Sequence, residues 1–374
     1  MSGVAKRVSR LQTLLKSENL DAIIARSTTD LQWLTGFDGI FDSEQAHTAV
    51  VTADRCVIHT DSRYSTAMKA CAEQEGLWEV DDVCVKDGRP VGVGGFVAGV
   101  LNSQGTSKGR IAIDAATPLN LYRSLCAALP EAELVEREAD ILRLRAVKEP
   151  EEIERMKAAM QIAHDAFLAT LEMVAPGRTE AEISLKLEME MRSRGAEELA
   201  FANIVASGPN SANPHAVPGQ RVLQKGDLVV FDFGARKSGY RSDTTRTISI
   251  GAPTEQQRRI YDAVRLANET VQAAIKPGVS GKAMHELAEQ VLADAGFGGR
   301  MGHGLGHGVG LDIHELPNLS PRNDLPLPPG AVVTVEPGVY IPGQDGVRIE
   351  DFGQVTCEGY ENFCSLSHDM VVIE

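Results

Sequence analysis

The sequence lacks the features that mark membrane and secreted proteins. Its 374 residues include no uninterrupted apolar run of the roughly 20 residues that a membrane-spanning helix needs. Residues 1–20 carry basic side chains but no apolar core of signal-peptide length. The six cysteines show no CxxC or zinc-ribbon spacing, which is typical of reduced, mostly buried thiols. We therefore expect a soluble cytoplasmic protein that does not bind membranes.

Basic charge is also in deficit. The chain has 37 Lys and Arg against 52 Asp and Glu, which gives a formal net charge of −15 and an isoelectric point near 5.1. A field of this sign does not attract nucleic acids or anionic membranes, so neither is an expected partner. The same excess is compatible with a site where carboxylates bind cations.

The first part of the chain carries no P-loop or dinucleotide-binding fingerprint. The segment 92–95 begins like a dinucleotide-binding turn, but the third glycine would fall at position 97, which is Val97. We therefore predict a plain glycine-rich loop there. Around it, helix-like apolar spacing at 8–15 and 119–129 alternates with strand-like runs at 22–25, 48–51, 56–58 and 110–114. This alternation predicts an α/β domain over residues 1–147.

A helix start marks the second domain. Pro150 suits the first turn of a helix, and the two acidic residues after it favour the positive end of that helix. Apolar residues then recur at steps of three and four residues as far as Val174. We place the second domain at residues 148–374.

The second domain contains the same unit twice. Each copy opens a helix after a Pro-Gly pair, continues to a His-x-x-Pro at His215 or His314, and reaches an apolar run that ends in Asp232 or Glu336. The three features recur at a nearly constant offset along the chain. Two related α+β halves that face each other would bring matched carboxylates to a central cleft.

Each half supplies a second carboxylate. Asp243 follows Asp232 by eleven residues and Glu350 follows Glu336 by fourteen, which we assign to adjacent antiparallel strands. A buried carboxylate without a partner is strongly disfavoured because it loses its hydration. These acids therefore need arginines, other hydrogen-bond donors or a metal.

Histidines and glycines gather before the second pair of acids. Residues 302–310 carry His303 and His307 among five glycines, and His314 follows. Neutral imidazole is a favoured metal ligand. One histidine with four carboxylates is a hard, oxygen-rich set that suits two divalent cations, manganese above all and also cobalt or zinc. The alternative is that Arg246 and Arg348 simply pair with the acids.

At these residues the sequence resembles the pita-bread metallopeptidase family, and specifically its Xaa-Pro peptidases, prolidase and aminopeptidase P. The resemblance spans essentially the whole chain, and residues 60–64 are similar to the creatinase-like N-terminal domain of the family. It implies an α/β creatinase-like N-terminal domain followed by an α+β pita-bread catalytic domain with an internal pseudo-two-fold duplication.

The resemblance also implies the site and its chemistry. Two divalent ions, manganese in the first place, would be held by Asp232, Asp243, His307, Glu336 and Glu350. Asp243 and Glu350 would bridge the ions. Substrate-contacting or supporting roles would fall to His215, His303, His314 and Arg348. The implied reaction is hydrolysis of the bond between an N-terminal residue and proline, with Glu336 as a candidate to move a proton to the leaving nitrogen.

A homodimer is a further implication of the resemblance, with a loop of one subunit's first domain closing the cleft of the other. Our candidate is the segment 36–44, whose two phenylalanines could cover a proline ring. Its acids, Asp38, Asp42 and Glu44, could repel a free C-terminal carboxylate and so favour longer peptides. The alternative is an ordinary acidic surface loop.

Other functions share this fold. A creatinase-type enzyme cleaves a C–N bond without metal, but it would be expected to have lost ligands. A methionine aminopeptidase shares the ligands but usually lacks the leading domain. A peptide-binding scaffold without activity would be expected to have degenerate acids. Between dipeptidase and aminopeptidase activity the sequence leaves the choice open.

Overall fold

The computed structural model describes residues 3–37, 41, 47–83, 85–86, 89–137 and 140–374. The chain divides into two compact units, Met1–Arg145 and Ala146–Glu374. The domain limits that we derived from the sequence, 1–147 and 148–374, stay a prediction. Within the described part of the chain, no helix combines the length and the apolarity needed to cross a bilayer.

The first unit is built on a mixed sheet of six described strands. The strands described in this unit, two of which lie outside the sheet, are β1 Ala22–Ala25, β2 Thr48–Thr52, β3 Cys56–His59, β4 Glu79–Asp81, β5 Val85–Lys86, β6 Arg89–Pro90, β7 Arg110–Asp114 and β8 Glu133–Arg137. Its helices are α1 Gly3–Ser17, α2 Thr28–Thr35, α3 Ser65–Glu75, α4 Val93–Ser103, α5 Leu119–Ala128 and α6 Asp140–Ala146. The sheet order is β4-β3-β2-β1-β7-β8, and β5 pairs with β6 apart from it. Strand β1 is antiparallel to β2 and parallel to β7.

Apolar side chains of the sheet pack against α4 and α5. Ile24, Val50 and Ile111 from the strands join Leu101 and Leu125 from the helices in one buried cluster. Removing these side chains from water is the main force that holds sheet and helices together. The α/β architecture predicted for this part of the chain is confirmed.

One local prediction was wrong. Residues 92–95 do not form a plain loop, because Gly92 caps α4 and Gly94 and Gly95 lie in its first turn. A Cβ on Gly94 would come within 2.7 Å of the backbone oxygen of Ser124 in α5. The glycine is therefore needed for the close approach of two helices.

The segment 36–44, our candidate for a cleft-covering loop, lies mostly outside the described residues, as do Asp38, Asp42 and Glu44. In its described part, Phe37 and Phe41 form an edge-on pair with ring centroids 5.4 Å apart. The role of this segment stays a prediction.

The second unit consists of two successive halves and a C-terminal strand. The first half comprises α7 Pro150–Leu171, α8 Glu180–Ser193, a 3₁₀ turn at Gly208–Ala212, β9 Glu198–Leu199, β10 Ile204–Ser207, β11 Leu228–Phe233, β12 Ala235–Lys237, β13 Tyr240–Arg241 and β14 Thr244–Ile250. The second half comprises α9 Glu255–Ala274, α10 Gly281–Asp294, β15 Gly306–Gly308, β16 Glu315–Leu319, β17 Val332–Val335, β18 Gly338–Tyr340, β19 Gly346–Arg348, β20 Asp351–Val355 and β21 Tyr360–Asn362. The last strand is β22 Val372–Ile373.

Equivalent hydrogen bonds recur in the two halves. In the first half the Gly177 N–H donates to the Leu223 carbonyl at 3.0 Å, and in the second the Gly278 N–H donates to the Leu327 carbonyl at 3.1 Å. A hydroxyl side chain caps the helix that follows in each half. The duplication predicted from the sequence is therefore present in the structure.

Two sheets meet at the centre of the second unit. The first has the order β10-β11-β14-β22 and the second the order β16-β15-β17-β20-β21. A bridge between Thr245 and Glu350 joins them, since the Glu350 N–H donates to the Thr245 carbonyl at 3.0 Å and the Thr245 N–H donates back at 3.3 Å. The halves thus contact each other through the segments that carry the predicted acids.

Helices α7 and α9 pack against these sheets. Phe167 of α7 lies against Phe231 and Phe233 of β11, with ring centroids 5.5 and 5.1 Å apart. Val264 of α9 shares a buried cluster with Val333 of β17. Each half therefore holds its acid-bearing strand with a long amphipathic helix.

We predict that Gly94→Ala destabilises the first unit and that Gly95→Ala, one residue along the same helix, does not. The methyl group at position 94 overlaps a backbone oxygen, and overpacking of this kind costs about 1–3 kcal/mol. At position 95 the new Cβ meets Val91 Cγ1 at 3.6 Å, an ordinary contact, and alanine favours a helix by roughly 1 kcal/mol over glycine. Denaturant unfolding measures both variants, and equal effects would contradict the packing argument.

Candidate metal centre

Strands β11 and β14 place the first pair of acids. Asp232 lies on β11 in antiparallel register with Thr245 of β14, and Asp243 directly precedes β14. Side chains alternate between the two faces of a strand. Burial of Phe231 and Phe233 against α7 therefore turns Asp232 to the opposite face of the sheet.

Strands β17 and β20 place the second pair in the same way. Glu336 directly follows β17 and Glu350 directly precedes β20, and these strands pair antiparallel with Val335 opposite Asp351. The short hairpin of β18 and β19 lies between them along the chain. The prediction that each half supplies its acids from adjacent antiparallel strands is confirmed.

His307 is the middle residue of β15, next to β17 in the second sheet. Its Nε2 lies 3.5 Å from both Asp243 Oδ2 and Glu336 Oε1. Its Nδ1 lies 3.1 Å from the carbonyl oxygen of Gly308. Because a carbonyl oxygen only accepts, this contact favours the tautomer with the proton on Nδ1 and leaves the Nε2 lone pair facing the carboxylates.

All nine site residues predicted from the sequence line one cavity of about 450 Å³. They are His215, Asp232, Asp243, His303, His307, His314, Glu336, Arg348 and Glu350. Ligand-type atoms of Asp243, His307 and Glu350 lie within 4.8 Å of one another. Apolar side chains, among them Phe201, Ile204 and Ile313, complete the lining. The cavity therefore combines a polar, acidic part with an apolar wall.

The four carboxylates repel one another in a place with little water. Burial raises the pKa of Asp243 and of Glu350 well above the ordinary values, and the neighbouring anions add to the effect. Burial also raises the pKa of Glu336 to about 8, although Arg348 opposes the shift. The pKa of Asp232 is raised by burial against the same opposing charge. In the absence of a cation, the site therefore retains protons at neutral pH.

Three histidines of the cavity, His303, His307 and His314, have a lowered pKa. Burial lowers the pKa of His303 and of His307 to about 4, and His314 adds to the effect at His307. Burial, together with His215, lowers the pKa of His314. A neutral imidazole can offer a lone pair to a cation or donate a single hydrogen bond.

Arg348 supports two of the acids from the cavity wall. Its Nη2 donates to Asp232 Oδ2 at 2.7 Å, its Nη1 to the Tyr340 hydroxyl at 2.9 Å and its Nε to Thr245 Oγ1 at 3.1 Å. The Thr245 hydroxyl in turn donates to Glu350 Oε2 at 2.7 Å. The guanidinium thus holds Asp232 directly and Glu350 through Thr245.

The alternative that arginines simply pair with the acids accounts for only part of the site. Arg246 forms an ion pair with Asp351, at 2.6 Å, and its Nη1 donates at 2.7 Å to the backbone oxygen of Glu350 rather than to a carboxylate of the cavity. Within the described structure, Asp232 Oδ1 is buried without a hydrogen-bond partner. Among the described residues that line the cavity, one guanidinium, that of Arg348, accompanies four carboxylates.

The donor set fits divalent cations. Four carboxylates and one neutral imidazole are hard ligands that suit manganese and related ions. Asp232 Oδ1 is a buried acceptor that has no donor within the described structure, and a cation would supply its missing partner. A bound cation would favour the ionised forms and so reverse the rise in carboxylate pKa that burial causes.

Several residues of the site were missed in the sequence. The Tyr340 hydroxyl, whose pKa burial raises to about 12, lies 3.0 Å from His303 Nε2 as well as against Arg348. The sequence signal that could have identified Tyr340 is its position, four residues after Glu336 and at the end of an apolar segment. Phe201 and Ile204 had no signal at all, because apolar wall residues look like core residues.

Two family models match the chain. The model of metallopeptidase family M24 matches residues 154–356. The model of the creatinase/prolidase N-terminal domain matches residues 7–147. All nine predicted site residues fall within the first of these matches.

Individual proteins match over long stretches. A Xaa-Pro dipeptidase of Pyrococcus furiosus is 42% identical over 228 residues, which cover 61% of this chain and 66% of that protein. The solved structure of a Xaa-Pro dipeptidase from Bacillus anthracis has a TM-score of 0.90 at 34% identity and covers 99% of this chain and 100% of that one. An X-Pro aminopeptidase structure from Thermotoga maritima has a TM-score of 0.85 at 33% identity, with 98% and 99% covered.

The raised carboxylate pKa values predict that the metal-free protein loses stability as the pH rises. Folded Glu336 holds its proton to about pH 8, whereas the ordinary value is 4.5. The folded state therefore binds more protons in this interval, and its stability falls across it. The histidines with lowered pKa act in the opposite direction below pH 6.5 and not above it. We expect the melting temperature of chelator-treated protein to fall between pH 6.5 and pH 8 and manganese to restore it.

Glu336→Gln is the control for this prediction, because an amide does not ionise. Its metal-free stability should fall less steeply over the same interval, by up to about 1.4 kcal/mol per pH unit. Part of the slope will remain, since the pKa of His368 is raised as well. Burial lowers it, but the hydrogen bond and the charge of Asp351, together with the hydrogen bond to Glu269, outweigh burial. A metal-free parent that is equally stable at both ends of the interval would show that the carboxylates are not crowded.

Proposed function

The chain belongs to metallopeptidase family M24 and carries a creatinase/prolidase N-terminal domain, and we propose that it removes the N-terminal residue from peptides whose second residue is proline. The family and the fold predicted from the sequence, a creatinase-like α/β domain before a pita-bread α+β domain, are thereby confirmed. The observation that supports the activity best is the convergence of four acids and four histidines on one cavity with an apolar wall.

Five side chains are proposed to hold two divalent cations, with manganese favoured over cobalt and zinc. They are Asp232, Asp243, His307, Glu336 and Glu350. Asp243 and Glu350 are only 4% and 2% exposed and flank the junction of the two halves, which suits ligands shared between two ions. Bound there, the cations would polarise the scissile carbonyl and acidify a water molecule.

The chain's own residues would then move the proton and orient the substrate. Glu336 lies at the cavity surface and is proposed to carry a proton to the proline nitrogen, which must be protonated to leave. His314, neutral because burial and His215 lower its pKa, can donate a hydrogen bond to the oxygen that becomes negative. His215 and His303 are proposed to contact the substrate, and Arg348 to hold Asp232 in place.

Proline selectivity is supported by the apolar part of the cavity. Phe201, Ile204 and Ile313 offer surface for the N-terminal side chain and the pyrrolidine ring. A prolyl amide nitrogen carries no N–H. In a site that offers no acceptor at this position, the N–H of any other residue would remain unpaired, so proline is favoured there.

Peptide length is the finer part of the proposal. Among the described lining residues, the cation with a permanent charge is Arg348, which is 3% exposed and already paired with Asp232. A strict dipeptidase needs a cation near the free carboxylate of proline. We therefore propose that peptides longer than dipeptides are cleaved at least as well as dipeptides.

Assembly and location complete the proposal. A homodimer in which the segment 36–44 of one subunit covers the cavity of its partner follows from the family resemblance. A cytoplasmic location is supported by the described cysteines, which are free thiols. The domain limits 1–147 and 148–374 are proposed as the functional boundaries.

The substrate prediction is tested with Ala-Pro, Ala-Pro-Ala and Ala-Ala-Ala after chelation and after addition of manganese. Chelated protein should be inactive, and manganese or cobalt should restore hydrolysis, because the acids of the cavity need cations to act. With manganese, kcat/KM for Ala-Pro-Ala should equal or exceed that for Ala-Pro. Ala-Ala-Ala should be cleaved at least about 100-fold less efficiently.

Each part of this prediction can fail separately. Full activity in a verified metal-free preparation would reject metal dependence. Similar rates on Ala-Ala-Ala and Ala-Pro-Ala would reject the selectivity for proline. A clear preference for Ala-Pro would reject the proposal on length.

Two kinds of variant separate metal ligands from substrate-binding residues. Asp243→Ala and Glu350→Ala should lower the bound metal per chain and reduce activity by more than the roughly 10- to 100-fold that loss of a supporting residue costs. His314→Ala should keep its metal and lose about 100- to 1,000-fold in kcat, as expected for a donor to a developing oxyanion. Metal content is measured by elemental analysis beside the kinetics. Loss of metal in His314→Ala, or two metals and normal turnover in either acid variant, would show that the roles are assigned wrongly.

A further inference from the structure

We infer that Glu180, a buried carboxylate outside the cavity, is a positioning residue that holds His215 in place for the reaction. The inference rests on the proposed function, because it assigns Glu180 a role through His215. Glu180 is the first residue of α8 and is 1% exposed. A carboxylate so deeply buried must find its donors within the protein.

Its donors come from both ends of one segment of chain. At the beginning of the segment, the Ser207 N–H and the Ser207 hydroxyl donate to Glu180 Oε1 at 2.8 and 2.7 Å. At the end of the segment, the Gly219 N–H donates to Oε2 at 3.2 Å. The Asn210 side-chain amide lies 3.1 and 3.2 Å from the two oxygens. A single side chain thus joins the two ends of residues 208–218.

The backbone of α8 reinforces the same junction. The Glu180 N–H donates to the Arg221 carbonyl and the Ala181 N–H to the Gly219 carbonyl, each at 3.0 Å. The backbone of the first turn of α8 and the Glu180 side chain therefore both form hydrogen bonds at the end of the segment.

The joined segment carries two residues of the cavity lining, Pro214 and His215. His215 is exposed on the protein surface, and its described hydrogen bond is made by its backbone N–H, to Asn213 Oδ1 at 3.2 Å. Its ring makes no hydrogen bond within the described structure. The position of the ring therefore depends on the backbone of the segment, which Glu180 holds at its two ends. Two further contacts hold its middle, since the Gly346 N–H donates to Ser211 Oγ at 2.7 Å and Arg348 Nη1 donates to the Pro214 carbonyl at 3.5 Å.

In the second half of the domain, different residues hold the segment that carries the equivalent histidine. Ser280 caps α10 as Thr179 caps α8, so Gly281 stands where Glu180 stands in the first half. A Cβ on Gly281 would overlap the backbone oxygen of Asn318, which leaves no room for a carboxylate. The segment that carries His314 is held instead by an ion pair of Lys148 and Glu315, 3.0 Å apart and with both side chains 1% exposed. The role that we assign to Glu180 is therefore particular to the histidine of the first half.

Glu180→Gln tests the inference because it changes one atom. Both carboxylate oxygens accept hydrogen bonds, whereas an amide presents one oxygen and one NH₂ group that faces N–H donors. One end of the segment must therefore lose its partner. Glu182→Gln is the matched control, since Glu182 lies in the same helical turn, is exposed, and accepts its capping bond from the Thr179 N–H, which an amide oxygen can also accept.

With manganese and Ala-Pro-Ala, Glu180→Gln should lower kcat by about 10- to 100-fold through misplacement of His215. The metal content should change little, because the metal ligands lie on other segments. KM should also change little if the contact that His215 makes with the substrate strengthens in the transition state. Hydrogen exchange of residues 208–219 should become faster, while that of β11 and β14 should not. Glu182→Gln should match the parent in all four measurements.

The decisive comparison uses a background without the histidine. In His215→Ala, the further change Glu180→Gln should have no additional effect on kcat, because its effect passes through the missing ring. An equal loss of kcat in both backgrounds, or unchanged exchange of residues 208–219, would overturn the inference.

A second variant, Asn210→Ala, tests the inference if Glu180→Gln does not fold. It removes one donor and keeps the carboxylate, so it should show the same pattern to a smaller degree. A parent that does not cleave Xaa-Pro peptides at all would reject the proposed function, and hydrogen exchange would still decide whether Glu180 holds the segment.

Discussion

The repulsion among four carboxylates in one buried cavity is the constraint on which the catalytic domain depends. Each acid loses hydration and faces three others, so the pKa of every one is raised by burial. Such a cluster is stable when the surrounding structure holds it rigidly and either protons or cations offset its charge. The fold of the domain therefore acts as a rigid frame, which here means the paired strands that carry the four acids. Because this frame already holds the carboxylates close together, cations can bind without the cost of bringing their ligands into place.

Two arginine side chains, on the protein side of the acids, support this arrangement. Arg348 holds Asp232 directly, and Thr245 transmits its support to Glu350. Arg246 lies further back, where it pairs with the fully buried Asp351 and donates to the backbone oxygens of Glu350 and Leu366. Arg348 reaches Asp232 at Oδ2, and Thr245 reaches Glu350 at Oε2. Asp232 is thus fixed through Oδ2, while its buried Oδ1 has no hydrogen-bond partner within the described structure and remains for a ligand.

Duplication explains why the acids match, and divergence explains why the site has two unlike sides. Strands β11 and β14 in one half, and β17 and β20 in the other, present their acids in the same way. The neighbouring strand differs, because β15 carries His307 whereas β10 carries Ile204, which lines the apolar wall. The supports differ too, with Glu180 in one half and the Lys148–Glu315 pair in the other. A symmetric arrangement of strands thereby gains one side with acids and an imidazole and another side that is apolar.

The sequence by itself determined the acids, the histidines and the duplicated strands, because their signals are local: carboxylates directly beside apolar runs, at fixed spacing. Tertiary structure alone decided the rest. It placed Gly94 and Gly95 in a helix, and it showed that glycine is needed at position 94 because Ser124 of a different helix lies against it. It assigned Arg348 to Asp232 and Arg246 to Asp351, which no spacing distinguishes. It also revealed Phe201, Tyr340 and Glu180, because the contacts of a wall or supporting residue lie far away along the chain, where a one-dimensional pattern carries no information about distance.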